Sequence, residues 1–186
     1  FTVRAQFYPE LYRGSAPRAV ASNALSLSIR PAAETPEAKA RIDTASGMPL
    51  TREDIPPDRV VAYTIEARQK SQWEKFFLYL DLESLYRQNQ DRDRAFRRSS
   101  EEERVRLLER YRRELTQQVV EGDLLLRPAA FEVQKTSYTA AEAQVVVRAA
   151  FAYTDYTEWK RYTYRLRRAE GAWLVTSYEV TNLGTE

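Results

Sequence analysis

Apolar and polar positions along this chain follow two periods, and the change between them divides it. Between residues 57 and 122 apolar residues recur every three to four positions, and from 129 to 181 they recur every second position. The first pattern predicts helices and the second predicts strands. Pro57 suits a first helical turn, and Val60, Val61, Thr64, Ile65 and Arg68 fall on one mostly apolar stripe. "QKSQ" interrupts that stripe, and Ser71 can cap a second helix. Trp73, Phe76, Phe77 and Leu80 then fit one buried helical face, which Leu78, Leu82 and Leu85 widen. "QNQDRDRAFRRSS" reads as a charged break. Ser100 and Glu103 have capping-box spacing at the head of a further helix. Its stripe is Leu108, Tyr111, Leu115 and Val119, with Gly122 placed to end it.

The alternating region predicts strands near 129–138, 143–154, 158–168 and 172–181, joined by "TAAE", "TDYT" and "RAEG". Val145, Val147, Ala149, Phe151 and Tyr153 share one face, and Tyr162, Tyr164 and Leu166 share another. Connections this short make antiparallel hairpins. Helices followed by four antiparallel strands define an α+β fold, with the helices on one face of a curved sheet. Residues 1–56 are rich in proline and irregular, and are expected to form an N-terminal extension packed on the domain at 57–182, with a flexible linker as the competing reading. Within the extension, 23–30 alternates as a strand up to Pro31, and "TPEAKARI" can start a short helix at Thr35.

Composition narrows the chemistry. The chain has neither Cys nor His, which removes thiolate nucleophiles, disulfides, histidine bases and the usual zinc sites. An enzyme here would depend on carboxylates, Tyr, Lys or Arg. No cofactor and no metal are expected. Charge is dense but balanced, at 29 basic and 27 acidic residues, too even to signal nucleic acid. Nine Arg and seven acidic residues between 91 and 114 fit a solvated helix with paired charges. No apolar run reaches the ~20 residues that span a bilayer. The chain starts at Phe1 rather than Met, so an upstream piece is expected to have been removed; whether it held a signal or anchor is left open, and any membrane link would lie there.

The order of a Val-rich first helix, "SQWEKFFLYLD", a further helix and long strands ending in "EWKRYTYRLRRAEGAWLVTSYEV" resembles the nuclear transport factor 2-like superfamily, whose broad fold is called cystatin-like. The resemblance covers about residues 57–182 and is strongest to bacterial extracytoplasmic and lipoprotein members. It implies a cone, with the helices on the concave side of the sheet and Trp173 plugging its centre. Trp73, Phe77, Tyr111, Phe151, Tyr164 and Trp173 are the residues that would line a pocket there or simply fill the core.

Two sets of side chains are candidates for function. By strand parity Glu179 shares a face with Trp173 and Val175, and an inward Glu179 near Tyr111 or Tyr164 could act as a general base. A bulge near Ser177 would reverse that parity, as Tyr178 and Val180 suggest. Glu132, between Phe131 and Val133, points outward by alternation. Arg148, Arg161, Arg165 and Arg167 would project from the opposite sheet face, where such a row could bind an acidic partner or be neutralised by Glu132 and Glu158. Trp159, beside a turn, is a surface-anchor candidate. The leading expectation is a non-enzymatic interaction module of a bacterial extracytoplasmic protein, with a protein partner and a homodimer through the sheet. The alternatives are a small-molecule or carboxylate-based enzyme site inside the cone, and an anionic partner on the arginine face.

Overall fold

The computed structural model describes residues 2–3, 6–7, 20–26, 41–42, 47, 49–117 and 123–186. The chain forms two compact units, Phe1–Lys39 and Ala40–Glu186. In the first, β1 (Thr2–Val3), β2 (Gln6–Phe7), β3 (Val20–Ala21) and β4 (Leu25–Ser26) make two antiparallel ladders, β1 with β4 and β2 with β3. Of the strand predicted at 23–30, Leu25–Ser26 pair in a ladder, residues 23 and 24 are not strand, and residues 27–30 lie outside the described ones. The helix predicted from Thr35 also falls outside them, except that Arg41 and Ile42 form β5 (Arg41–Ile42), paired with β6 (Pro49–Leu50).

In the second unit, helices precede a four-stranded antiparallel sheet and pack on its concave face. Helix α1 (Pro57–Gln69) starts with Pro57 at its first position, where a missing N–H costs nothing, and buries Val60, Val61, Thr64, Ile65 and Arg68. Ser71 does not cap the next helix. It takes a left-handed conformation, φ 54°, that turns the chain out of α1.

The single amphipathic helix expected from Trp73 onward is two short helices, α2 (Trp73–Phe76) and α3 (Leu82–Arg87). Five consecutive side chains, Phe76 to Leu80, are buried, which no helix with one wet face could achieve. The chain unwinds there and bonds to the sheet: Val175 N–H donates to the Tyr79 carbonyl (2.8 Å) and Asp81 N–H to the Val175 carbonyl (2.9 Å). Asp81 then restarts the helix, its carboxylate accepting from Ser84 N–H and Ser84 Oγ–H.

The charged break is also a helix, α4 (Gln90–Arg98), capped by Asn89 Oδ1, which accepts from the N–H groups of Asp91 and Arg92. Its polar sequence misled because a single residue, Phe96, carries the packing. Helix α5 (Glu101–Gln117) has the capping box, with Ser100 N–H to Glu103 Oε2 at 2.8 Å and Glu103 N–H to Ser100 Oγ at 3.4 Å. Val119 and Gly122 lie outside the described residues.

The sheet comprises β7 (Ala130–Tyr138), β8 (Glu142–Ala152), β9 (Thr157–Ala169) and β10 (Ala172–Thr185), in the order β10-β9-β8-β7. Glu170 and Gly171, both at positive φ, make the tight β9–β10 turn, whose twist suits a hairpin. The β8–β9 ladder is unbroken from Glu142 to Ala152, whereas both edge strands carry bulges: Gln134 in β7, and Thr176 and Leu183 in β10. Bulges bend a strand and increase its twist, so the edges curl around the helices. Val145, Val147, Phe151, Tyr162, Tyr164, Leu166, Trp173 and Val175 face the helices as the buried core. Tyr153, expected on that face, is instead about half exposed beyond the end of β8 and stacks on Tyr156 at 4.7 Å.

Candidate functional site

The bulge at Thr176 decides the first candidate. Val175 is opposite Leu166 and Ser177 is opposite Arg165, so Thr176 is an extra residue and alternation resets after it. Tyr178 and Val180 pack against the core, while Glu179 stands on the outer face with its side chain 64% exposed. Its Oε1 accepts from Arg165 Nη2 at 2.8 Å. The inward general base considered from strand parity is thus corrected: Glu179 meets neither Tyr111 nor Tyr164 inside the sheet.

The outer arginines do not form a free cationic row. Arg165 pairs with Glu179, and Arg167 pairs with Asp81 at 3.3 Å. Arg148 lies opposite Glu132 in register and its guanidinium covers the Trp159 ring at 3.8 Å. Arg161, directly opposite Arg148 across β8–β9, is exposed. Trp159 is half-buried beneath Arg148, with Nε1–H donating to Glu186 Oε2 at 3.2 Å. Glu158 binds Lys160 and Asn182 rather than an outer arginine.

The six aromatic candidates separate. Phe77 is fully buried between Trp73 and Phe76, with the Arg112 guanidinium over its ring at 4.9 Å and Arg112 also paired to Glu74. Tyr111 packs edge-on against Tyr86, and burial pushes its hydroxyl up to about 12. Trp173 is buried near the β9–β10 turn, beside Tyr138 and below Arg168. Only Phe151 and Tyr164, of the six, line an internal cavity of about 20 Å³, room for one water molecule. Burial, followed by the nearby Tyr178, raises the Tyr164 hydroxyl far above its ordinary value, so it stays protonated.

The residue that commands this cavity is Arg68, 2% exposed on the α1 stripe. Its Nη2 donates to the Leu125 carbonyl, and its guanidinium lies 4.7 Å from the Trp73 ring centre. Its Nε and Nη1 are buried and find no hydrogen-bond partner among the described residues. Burial, then the neighbouring positive charge of Arg127, lowers its pKa to about 10, which still leaves it charged at neutral pH. Next to it, Gln69 Nε2–H donates to the Pro128 carbonyl at 2.7 Å. The two adjacent α1 side chains thereby fasten the segment 125–128 over the cavity. A cation inside an otherwise apolar stripe was the available sequence signal for this place, and the stripe's periodicity hid it.

Fold and site together define an α+β domain whose aromatic core surrounds the buried cation Arg68 and whose outer face carries paired charges. Residues 58–186 match the family model described as flagellar collar protein C, C-terminal domain. The match spans more than half of the chain, which therefore belongs to that family. No curated protein and no solved structure matches it. Among the described residues no helix is long and apolar enough to cross a membrane.

Proposed function

We propose that this domain is a non-enzymatic protein-interaction module that serves a bacterial flagellar structure outside the cytoplasm. The membership of residues 58–186 in a family named for a flagellar collar protein carries this reading. The outward, ion-paired Glu179 supports it, because the one carboxylate considered for catalysis sits in water beside an arginine. The helix-then-curled-sheet architecture also suits the resemblance to the nuclear transport factor 2-like superfamily, whose scaffolds the extracytoplasmic reading draws on. The partner is another protein of the same assembly, or a second copy of this chain across the sheet.

The test is to tag the protein in its native host and purify intact flagellar basal structures. The reading expects the tagged chain to stay with them and to be digested by protease added outside the inner membrane. Recovery only in the soluble cytoplasmic fraction would overturn it. Sedimentation of the purified chain reports on the homodimer, and Arg161→Glu should weaken any association made through the outer face.

A further inference from the structure

We infer that the cavity beside Arg68 is a binding site for one monatomic anion, chloride. The inference is independent of the flagellar reading. The Arg68 side chain is 2% exposed, yet its Nε and Nη1 have no partner among the described residues. A buried charge left uncompensated is costly, and so is each buried donor left unmade. The groups that do touch the guanidinium, the Leu125 carbonyl and the Trp73 ring, are both neutral. The charge acting on it from nearby is that of Arg127, a second cation, so the local field favours an anion.

Size and lining select the kind of anion. The cavity of about 20 Å³ holds one particle of the size of a water molecule or a chloride ion, and excludes carboxylates, phosphate and sulfate. A water molecule there could accept from Nε–H or Nη1–H, but its own hydrogens would need acceptors. Most of the walls are hydrocarbon, from Ile65, Phe76, Leu126, Pro128, Ala149 and Phe151. The nearby Pro128 carbonyl already accepts from Gln69, and the Thr64 hydroxyl donates to the Val60 carbonyl at 2.9 Å. A halide accepts charge-assisted bonds from the guanidinium and asks no acceptor of the walls. It also neutralises the charge that burial has made costly.

The experiment is an NMR titration of the Arg68 Nε–H cross-peak in the full chain with sodium chloride, exchanged for sodium gluconate so that ionic strength stays fixed. The expected result is a saturable shift, with a rise in melting temperature over the same chloride range. Arg68→Gln should abolish that rise. Arg127→Gln, at an exposed position that leaves Arg68 in place, should weaken chloride binding about threefold or more, and Arg127→Lys should restore it. The conclusion therefore does not hang on the buried variant folding well. Crystals grown in sodium bromide should show an anomalous-scattering peak beside Nε and Nη1. An Nε–H signal that contacts water and ignores chloride would mean a buried water only and would overturn the proposal. A shift that grows with chloride and never saturates would mean an adventitious ion only, and would overturn it equally.

Discussion

The two faces of the four-stranded sheet handle arginine in opposite ways. Outside, Arg165 and Arg167 each meet a carboxylate, and Arg148 lies over an indole opposite Glu132. Those groups remain near water, where each pair contributes little, on the order of 1 kcal/mol or less. Inside, Arg68 stands in the aromatic core with one bond to a carbonyl and no carboxylate acting on it among the described residues. Counting charges along the sequence draws attention to the outer row, yet that row is largely self-neutralised. The unbalanced charge is the single one that burial has made expensive. Density of charge along the sequence therefore does not locate the charge that burial has desolvated.

The comparison can be broken most forcefully from the inside. Phe77→Ala removes a fully buried ring that Trp73, Phe76 and Arg112 surround. It should cost about 3–5 kcal/mol in urea unfolding. A loss no larger than that of an outer-face alanine substitution would show the inner face to be loosely packed.

A matched pair sharpens it. Val147 is fully buried and Val146, its neighbour in β8, points the other way. Val147→Thr places a hydroxyl in the core and should cost about 1–3 kcal/mol. Val146→Thr should fall within about 0.5 kcal/mol of the parent. Equal costs would mean that the outer face is covered by something in solution.

Alkaline pH probes the same interior. Tyr111, pushed up to about 12, and Tyr164, raised further, both keep protons in the fold that the unfolded chain loses above its ordinary tyrosine pKa of 10. Their contribution is whole below pH 10 and is lost as pH rises towards 12. Arg68, lowered to about 10, works the other way, since the unfolded chain there binds the extra proton and stability gains with pH. Two raised groups against one lowered group give a net fall, about 1–2 kcal/mol from Tyr111 alone. Tyr164→Phe should make the decline above pH 10 shallower, as read by urea midpoints across that range. A midpoint that rises with pH would assign the larger effect to Arg68.

The smallest change expected is on the outer face. Glu179→Gln breaks an exposed pair with Arg165 and should shift stability by less than about 1 kcal/mol, a difference that added salt diminishes. A loss of several kcal/mol would place Glu179 in the interior.

Much of the scaffold could be read from the chain itself. The four strands were expected within a few residues of Ala130–Tyr138, Glu142–Ala152, Thr157–Ala169 and Ala172–Thr185, because period-two alternation is written residue by residue. The capping box of α5 is equally local, as Ser100 and Glu103 lie three positions apart. The candidate site was much less legible. Of six proposed lining residues only Phe151 and Tyr164 reach the cavity, and Arg68 was taken as one position on a stripe.

The features that the sequence determined by itself were those whose partners are sequence neighbours: the strand pattern, the hairpin turns and the capping box of α5. Tertiary structure decided the rest. The run from Phe76 to Leu80 left the helix because Val175, nearly a hundred residues later, bonds Tyr79 and Asp81. Glu179 faces water because the pairing of β10 with β9 leaves Thr176 over as an extra residue. Arg68 is desolvated because α1, the segment 125–128 and the sheet close around it. Burial is a sum over distant neighbours, so no local pattern can state which charge will lose its water.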